Sequence, residues 1–524
     1  MKSWKPGDSF IWLSGGALAL ALLMVFGLIA LVVVNGASFF WPRDVEQFQL
    51  NDGRVVLGEI TAREKIPQPN ASHAPATHRI QIKRGNRDLY GTDFIWLNET
   101  DIQNTTAPRN ALVIERVEWG NFYGIFQRLE IGGQTVSNDW KFVRARLARA
   151  RKLTAQIHTV SRKDIGAINR AQERLRRELK RSESAELRAD YAALQAQYQE
   201  QLATLASLRG QLTDVLVVSA AGHPEVRIPL ADVVRMNHPN AMTAWRKCCF
   251  YAEKLWEFVS AEPRESNTEG GVFPAIYGTV LLVLLMSLIV TPLGVLAALY
   301  LREYARQGPI ISAVRIAVNN LAGVPSIVYG VFGVAFFIYL GGGTIDQAFF
   351  SDRLPTPTFG TGGLLWASLT LALLTLPVVI VATEEGLAAI PPSTRAGALA
   401  LGATKFETTW RVVLPAVTPA VLTGLILAMA RAAGEVAPLM ITGVVKLAPA
   451  LPLDGVFPYL HLDRKFMHLG FHIYDVGFQS PNVDAARPMV YTTTILLLAV
   501  VLAFNLTAIS IRARLRKKYS STHL

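Results

Sequence analysis

Arg431 and Glu435 are two ionisable residues inside an apolar run that covers residues 412–445. A spacing of four places them on one helical face, where opposite charges can pair. A charge inside a bilayer costs at least ~2.5 kcal/mol on insertion scales, so such residues usually face a bundle interior or an aqueous path. The planar guanidinium suits oxyanions. The pair therefore predicts either a transient anion contact at Arg431, balanced by Glu435, or an ion pair that only holds helices together or lies near the membrane interface.

The segment 384–415 has the composition of a docking helix. Pro391-Pro392 should end one helix, Ser393 or Thr394 should cap the next, and Gly402 should turn the chain. The residues between these signals are mostly Ala and Gly, whose bare surface suits a groove on another protein. The segment offers no catalytic arrangement and no metal-ligand set. It therefore predicts a contact surface and not an active site.

Long apolar runs must position both features. The chain has 524 residues, of which 51% are hydrophobic and 18% charged, whereas a soluble domain carries about 25% charged residues. A membrane-spanning helix needs about 20 mostly apolar residues. Six runs can each hold one span: 10–34, 272–301, 316–345, 354–383, 412–445 and 488–511. The first is too long for a signal peptide and is interpreted as a retained anchor. A wholly soluble enzyme is excluded.

The placement of basic residues predicts the orientation. The chain has 52 Lys and Arg against 40 Asp and Glu, a formal charge of +12. The short segments 1–9, 302–315, 384–411 and 512–524 carry most of the basic residues found in short loops. The positive-inside rule then places both termini in the cytoplasm and the long segment 41–270 outside.

The segment 41–270 has the patterns of an exported α+β domain. Residues 45–60, 80–97 and 111–131 alternate apolar and polar side chains, which predicts strands. Residues 144–212 are predicted to form a coiled-coil hairpin, because apolar positions from Leu187 to Leu212 follow a 4-3 spacing. The basic stretch 144–181 is interpreted as a solvated helical face; the weaker alternative is a surface that attracts anions.

Three other groups of residues carry little functional signal. Cys248 and Cys249 are adjacent, and neighbouring cysteines rarely bridge each other. The i,i+4 pair His468 and His472 could ligate zinc, but with His461 it offers no compact third ligand, so loop packing is the favoured interpretation. The sequence contains no Walker motif. We therefore predict no metal or cofactor in this chain, and no enzymatic activity.

The segment 384–415 resembles the EAA-type loop of binding-protein-dependent ABC importer permeases, whose short coupling helix seats in the ATPase subunit. Gly402 holds the place of the characteristic glycine, and Leu414-Pro415 falls where the family has a Leu-Pro pair. The family's Glu is replaced by Ala396. By this resemblance, the residues implied in ATPase coupling are Arg395, Ala398, Leu401, Gly402, Ala403 and Lys405.

Residues 430–439 closely resemble the A-R-x-x-G-E-x-A-P-L segment of phosphate importer permeases of the PstA type. Residues 269–279, 301–305 and 323–330 also look like that subfamily, and the region before them resembles the extension of its longer members. The resemblance implies an α-helical polytopic membrane protein with six transmembrane helices and a type I ABC importer core at 271–524. Residues 1–40 would be the anchor, and the exported α+β domain with its coiled-coil hairpin would lie between spans one and two.

The same resemblance implies a place in a bacterial inner-membrane phosphate importer that works by alternating access. Its partners would be a homologous permease (PstC-like), ATPase subunits (PstB-like) that bind ATP and Mg, and a periplasmic phosphate-binding protein (PstS-like). The lipid bilayer is a further partner, and nucleic acid is not one. Two alternatives stay open. The anion could be sulfate or molybdate, or the chain could be a membrane sensor or scaffold that binds partners through its coiled coil.

Overall fold

The computed structural model describes residues 8–66, 78–137, 139–182, 184–480 and 483–520. Of the basic terminal segments used for the orientation, residues 1–7 and 521–524 lie outside this part of the chain. The helices, in chain order, are α1 (Asp8–Ala37), α2 (Arg87–Tyr90), α3 (Trp140–Thr159), α4 (Ile165–Arg181), α5 (Ala185–Gly210), α6 (Ala244–Ser260), α7 (Phe273–Leu299), α8 (Pro309–Leu321), α9 (Ser326–Phe332), α10 (Gly343–Phe349), α11 (Leu364–Ala389), α12 (Pro392–Ala400), α13 (Lys405–Thr408), α14 (Leu414–Gly434), α15 (Ala437–Thr442), α16 (Leu469–Tyr474) and α17 (Val483–Ser520).

The strands are β1 (Glu46–Leu50), β2 (Val55–Lys65), β3 (His78–Lys83), β4 (Phe94–Asn98), β5 (Ile102–Thr106), β6 (Ala111–Arg116), β7 (Asn121–Ile131), β8 (Gln134–Ser137), β9 (Asp214–Ala220), β10 (His223–Pro229), β11 (Val233–Asn237), β12 (Pro263–Arg264) and β13 (Glu269–Gly270). One sheet has the order β4-β3-β2-β1-β5, a second has β10-β9-β7-β6-β11 with β8 added to β7, and β12 pairs with β13. Neighbouring strands in these sheets are antiparallel.

The chain forms two compact units. The membrane unit consists of residues 1–39 and 257–524, and the polar unit of residues 40–256. The sequence-based division placed the second boundary at residue 270. Residues 257–270 belong to the membrane unit because backbone hydrogen bonds join them to the start of α7, for example from Val272 N to Phe258 O at 2.8 Å.

The membrane unit contains six helical segments long and apolar enough to cross a bilayer, among the residues that the structure describes. They are Phe10–Ala37, Phe273–Tyr304, Ser326–Phe349, Leu364–Ala389, Lys405–Gly434 and Ala486–Leu515. This confirms the expected polytopic α-helical fold. Its core packs α7, α11 and α14 around Met286, Leu371 and Ala432. The first span packs on the last, where Thr492 Oγ1 donates to Gly36 O at 3.0 Å.

Three spans differ in extent from the apolar runs. The run 316–345 is broken, because the chain turns at residues 322–325 and Pro325 precedes the helix that forms the third span. The fourth span begins at Leu364, ten residues later than expected, and continues to Ala389. The fifth starts at Lys405 and ends at Gly434, so the run 412–445 is one span followed by the separate helix α15.

The polar unit is built on the two larger sheets, with a helical arm. The larger sheet core includes Leu112, Phe122 and Leu216, against which Val143 and Leu147 of α3 pack. Helices α3 and α4 are joined by the π-helical turn Val160–Asp164, and α4 packs against α5. The predicted seam positions of α5 are less exposed than their neighbours, and Leu205 is buried. A helical hairpin is therefore present; coiled-coil packing within it stays a prediction.

Candidate functional site

The segment between the fourth and fifth spans contains a short helix with a defined C-terminal turn. Helix α12 begins at Pro392, so Ser393 and Thr394 lie inside it and neither caps it as expected. At its end, Gly402 N donates to Leu399 O at 3.0 Å and Ala403 N donates to Ala398 O at 3.2 Å. This pair of bonds is a Schellman motif. Gly402 has φ of +85°, the left-handed conformation that glycine adopts without strain.

The exposed surface of this segment is apolar. Leu401 is 90% exposed, and Leu399, Phe406 and Trp410 are each at least half exposed. The rings of Phe406 and Trp410 are stacked, with centroids 6.2 Å apart. A cluster of this kind marks a contact surface for another protein. We call these four residues the docking surface. The sequence prediction missed Phe406 and Trp410, although two aromatic residues four apart beside polar Lys405 and Glu407 were a usable signal.

Two ion pairs hold the segment in place. The guanidinium of Arg395 donates to Glu303 Oε1 at 2.8 Å and to the carbonyl oxygens of Leu387 and Ile390. Arg315 donates to Glu384 Oε1 at 3.0 Å. Arg395 was predicted as a coupling residue. In the structure its side chain donates hydrogen bonds to other residues of this chain, so it positions α12 and is not part of the docking surface.

The fifth span starts with a capping box. Glu407 N donates to Thr404 Oγ1 at 3.2 Å, and Thr404 N donates to Glu407 Oε2 at 2.9 Å. The T-x-x-E spacing was a sequence signal for this start. Lys405 lies over the Tyr304 ring at 5.0 Å. Phe406 and Trp410 of the docking surface thus lie at the start of a helical segment that runs from Lys405 to Gly434, and Leu401 precedes this segment by four residues.

Arg431 and Glu435 lie at the other end of that segment. Arg431 is in the last turn of α14, and Glu435 follows the helix with an extended backbone, so the two are not on one continuous helical face. They still pair, with Arg431 Nε 3.4 Å from Glu435 Oε1. Arg431 lies 19 residues beyond Val412, or about 29 Å of helix, which is close to the thickness of the hydrocarbon core. The pair therefore lies near the end of the span and not at its middle.

The ion pair faces away from the packed side of α14. Ala428, Ala432 and Ala433 are buried against neighbouring helices, while the side chains of Arg431 and Glu435 are 34% and 21% exposed in this single chain. A partly exposed guanidinium beside a partly exposed carboxylate can exchange its partner for an incoming anion, because neither group is sealed inside the protein.

A buried polar cluster lies next to this end of the span. Asn267 Nδ2 donates to Asp475 Oδ2 at 3.1 Å, and Lys446 Nζ lies 3.3 Å from the same oxygen. His468 and His472 are almost fully buried. Burial lowers the pKa of His468 to about 4. Burial also lowers the pKa of His472 to about 4, outweighing the opposite effect of Asp475. Both rings are therefore neutral at pH 7.

His461 belongs to a different contact. Its Nε2 lies 3.0 Å from Asp454 Oδ1, and Arg464 donates to the other carboxylate oxygen. Burial opposes ionisation of Asp454, but the hydrogen bonds from Arg464, the Val456 backbone and His461 together lower its pKa to about 2. Within the described residues, no group of three or more His, Cys, Asp or Glu side chains is placed to hold a metal ion.

Comparison with known proteins finds relatives of the membrane unit. Residues 290–521 match the family model described as binding-protein-dependent transport system inner membrane component. The phosphate transport system permease protein PstA of Mycobacterium leprae (strain TN) is 36% identical over 172 residues, which are 33% of this chain and 51% of that protein. The probable ABC transporter permease protein YqgI of Bacillus subtilis (strain 168) is 27% identical over 271 residues, 51% of this chain and 86% of that protein.

The chain spans about half the length of the Mycobacterium leprae relative. Among solved structures, a chain of the inward-facing MetNI methionine ABC transporter is 18% identical, with a TM-score of 0.32, over 52% of this chain and 99% of that one. The family match and the relatives confirm the expected resemblance of the membrane unit to PstA-like ABC permeases.

Proposed function

We propose that this chain, whose membrane unit resembles PstA-like ABC permeases, is the permease subunit of an ATP-driven importer that moves inorganic phosphate across the bacterial inner membrane. The observation that carries the proposal is the pairing of two surfaces on one helical segment. Leu401, Phe406 and Trp410 form an exposed apolar surface at one end, and Arg431 and Glu435 form a part-exposed ion pair at the other.

The docking surface receives the ATPase in this proposal. Exposed aromatic and leucine side chains around small residues fit a groove of another protein, and the Schellman motif fixes where Ala398, Gly402 and Ala403 present their backbone. Arg395 and Glu303 keep α12 attached to the ends of the second and fourth spans. Motion of a docked ATPase would therefore pass into the spans and drive alternating access.

Arg431 contacts phosphate during translocation in this proposal, and Glu435 restores the ion pair afterwards. A planar guanidinium donates two parallel hydrogen bonds to a tetrahedral oxyanion. The competing carboxylate, 3.4 Å away in the structure, prevents the anion from being held too tightly. The subunit makes and breaks no covalent bond; ATP and Mg are bound by the partner ATPase.

The partners follow from the same proposal. The partly exposed ion pair and the exposed apolar residues of the spans would face a second, homologous permease. A phosphate-binding protein would deliver substrate on the side where α1 ends, and both termini would lie in the cytoplasm. The PstA relative is named as a phosphate transport protein, which favours phosphate over sulfate or molybdate.

The test is uptake into proteoliposomes that contain the complete transporter and its binding protein. Radiolabelled phosphate should accumulate only with ATP inside, and excess unlabelled phosphate should abolish the signal, whereas sulfate and molybdate should leave it intact. Strong competition by sulfate or molybdate would assign the permease to another oxyanion. Failure of any ATPase to co-purify would argue against an importer subunit altogether.

A further inference from the structure

The two larger sheets of the polar unit follow one plan. In each, five strands, counted along the chain without the short β8, lie in the order fourth, third, second, first and fifth: β4-β3-β2-β1-β5 in one and β10-β9-β7-β6-β11 in the other. A three-residue helical turn joins the fourth strand to the fifth, Glu99–Asp101 in one sheet and Leu230–Asp232 in the other. A flat sheet would separate these edge strands by about 19 Å, but such a connection reaches at most about 14 Å. Each sheet therefore curls into a barrel; we call residues 46–106 the first barrel and residues 111–237 the second barrel.

The strands of the two barrels pair in the same register. Glu46 lies opposite Gly58 where the first two strands of the first barrel meet, and Leu112 lies opposite Gly124 in the second barrel. Both partners are shifted by 66 residues, so the two hairpins have turns of the same size. The second strand has 11 residues in each barrel. The first hairpins of the two barrels therefore correspond residue by residue.

Two interruptions of the strand pairing also occur at matching positions. Between the second and third strands, one residue of the second strand is skipped in the pairing, Thr61 in the first barrel and Gln127 in the second. Between the first and fifth strands, one residue of the fifth strand is skipped, Gln103 in the first barrel and Val234 in the second. A bulge bends a strand at one particular place, and a shared strand order does not dictate where that place is. Two matching bulges therefore indicate a common origin of the barrels.

A glycine recurs where the second strand passes close to the third. A Cβ added at Gly58 would lie 2.5 Å from Lys83 O, and one added at Gly124 would lie 2.5 Å from Ser219 O. Both distances are shorter than Cβ contacts in proteins, so a side chain at either position would push the two strands apart. The same close approach is therefore built into both barrels.

The barrels differ in the connection between the second and third strands. It has twelve residues, 66–77, in the first barrel, whereas in the second barrel it holds β8 and the helices α3, α4 and α5. Val143 and Leu147 of α3 belong to the core of the second barrel. Beyond them, no described side chain of residues 160–203 is buried. We call residues 160–203 the distal arm.

We propose that the polar unit contains two copies of one barrel, and that the distal arm is an insertion into the second copy that neither barrel needs in order to fold. The shared strand order, register, bulges and glycines identify the copies. The first barrel joins the same two strands with a connection of twelve residues, so a short connection is enough for this fold. The barrels are then the scaffold of the polar unit, and the distal arm is an appendage to it.

The first test removes the distal arm from the full chain. Residues 160–203 are replaced by Gly-Ser linkers of about 6 and about 12 residues, which span roughly 13 and 19 Å, so that strain in one linker does not decide the result. Hydrogen–deuterium exchange, followed peptide by peptide in detergent, should show β2, β3, β7 and β9 protected to within about twofold of the parent protein. Loss of protection in β7 and β9 with both linkers would overturn the proposal, because the distal arm would then be part of the fold.

The second test compares the two matching glycines in the full chain. Exchange should become faster in β2 and β3 for Gly58→Ala, and in β7 and β9 for Gly124→Ala, in each case on the order of tenfold. The reason is the same in both barrels, because the added Cβ meets a backbone oxygen. Gly210→Ala is the control, since a Cβ there meets nothing within 4 Å, and it should leave all four strands unchanged. Faster exchange in only one of the barrels, or in neither, would overturn the equivalence of the two copies.

Discussion

The two ends of the fifth span carry different surfaces. At the end near Lys405, an apolar docking surface is fixed by a Schellman motif, a capping box and the Arg395–Glu303 ion pair. At the end near Gly434, the helix stops and the pair Arg431–Glu435 stays part exposed. The first end suits a firm contact with another protein, and the second suits a transient contact with an ion. In the proposed transporter, one helix would therefore join the ATPase contact to the substrate contact.

The two ends are connected through tight packing with the fourth span. A Cβ added at Gly424 would lie 2.7 Å from Ala382 Cβ, and one added at Gly386 would lie 2.3 Å from Ala420 Cβ. Small residues at such positions let two helices approach closely in a membrane. Helices α11 and α14 should therefore move together, since neither has room to slide independently past the other.

The largest expected effect concerns the docking end. Valine at Gly402 must adopt φ of +85°, which costs about 2–3 kcal/mol for a residue with a branched side chain. We expect Gly402→Val to weaken co-purification of the ATPase by roughly 30–150-fold. Gly397→Ala is the matched control, because Gly397 lies inside helix α12 and an added Cβ meets nothing within 4 Å. Equal loss in both variants would contradict a role for the turn.

A smaller effect is expected at the contacts of Arg395, which hold α12 and its docking surface in place. Arg395→Ala removes the donors to Glu303 and to two carbonyl oxygens, at a cost of about 1–2 kcal/mol. The segment should then open about 5–30-fold more often and trypsin should cut sooner at Lys405 and Arg411. Arg395→Lys keeps the charge but not the planar donors, so its rate of cleavage by trypsin should lie between that of the parent protein and that of Arg395→Ala. Unchanged cleavage in Arg395→Ala would show that the contact does not hold the segment.

The smallest effect concerns the polar cluster beside the ion-pair end. The folded protein keeps His472 neutral down to about pH 4, whereas an unfolded histidine takes up a proton near pH 6.5. The unfolded state therefore binds more protons between these values, and stability is full above pH 6.5 and falls as pH drops toward 4.

In the variant His472→Phe, the unfolding temperature should therefore fall less between pH 7.5 and pH 5 than it does in the parent protein. The difference should be about 2–4 °C for each kcal/mol of stability that protonation of His472 costs the parent protein over this range. His461→Phe is the control, because its ring contacts Asp454 and lies outside this cluster. An unchanged drop in His472→Phe would contradict the role given to the buried ring.

Local patterns in the sequence predicted most of the fold. Apolar runs predicted six spans, and alternation predicted the strands of the polar unit. The break at Pro325 and the helix end at Gly434 were missed, because hydropathy alone does not register where a helix stops inside an apolar run. Both breaks have ordinary local signals, a proline and a glycine, and they could have been used.

The candidate site was predicted in part. The turn at Gly402 and the pair Arg431–Glu435 were expected, and the structure contains both. The engagement of Arg395 by Glu303 could not be predicted, since the two are 92 residues apart and their contact depends on how three spans pack. Phe406 and Trp410 were overlooked because they stand beside charged residues.

The measurement that tests the two-ended helix most directly is the number of phosphate ions moved per ATP hydrolysed, in proteoliposomes holding the complete transporter. In Arg431→Ala the docking end is unchanged, so complex assembly and ATP hydrolysis should persist while phosphate moved per ATP falls steeply. In Arg431→Lys, which keeps the charge without the planar donors, the phosphate moved per ATP should fall less. An Arg431→Ala transporter that assembles and moves as much phosphate per ATP as the parent protein would contradict the proposed role of the ion pair.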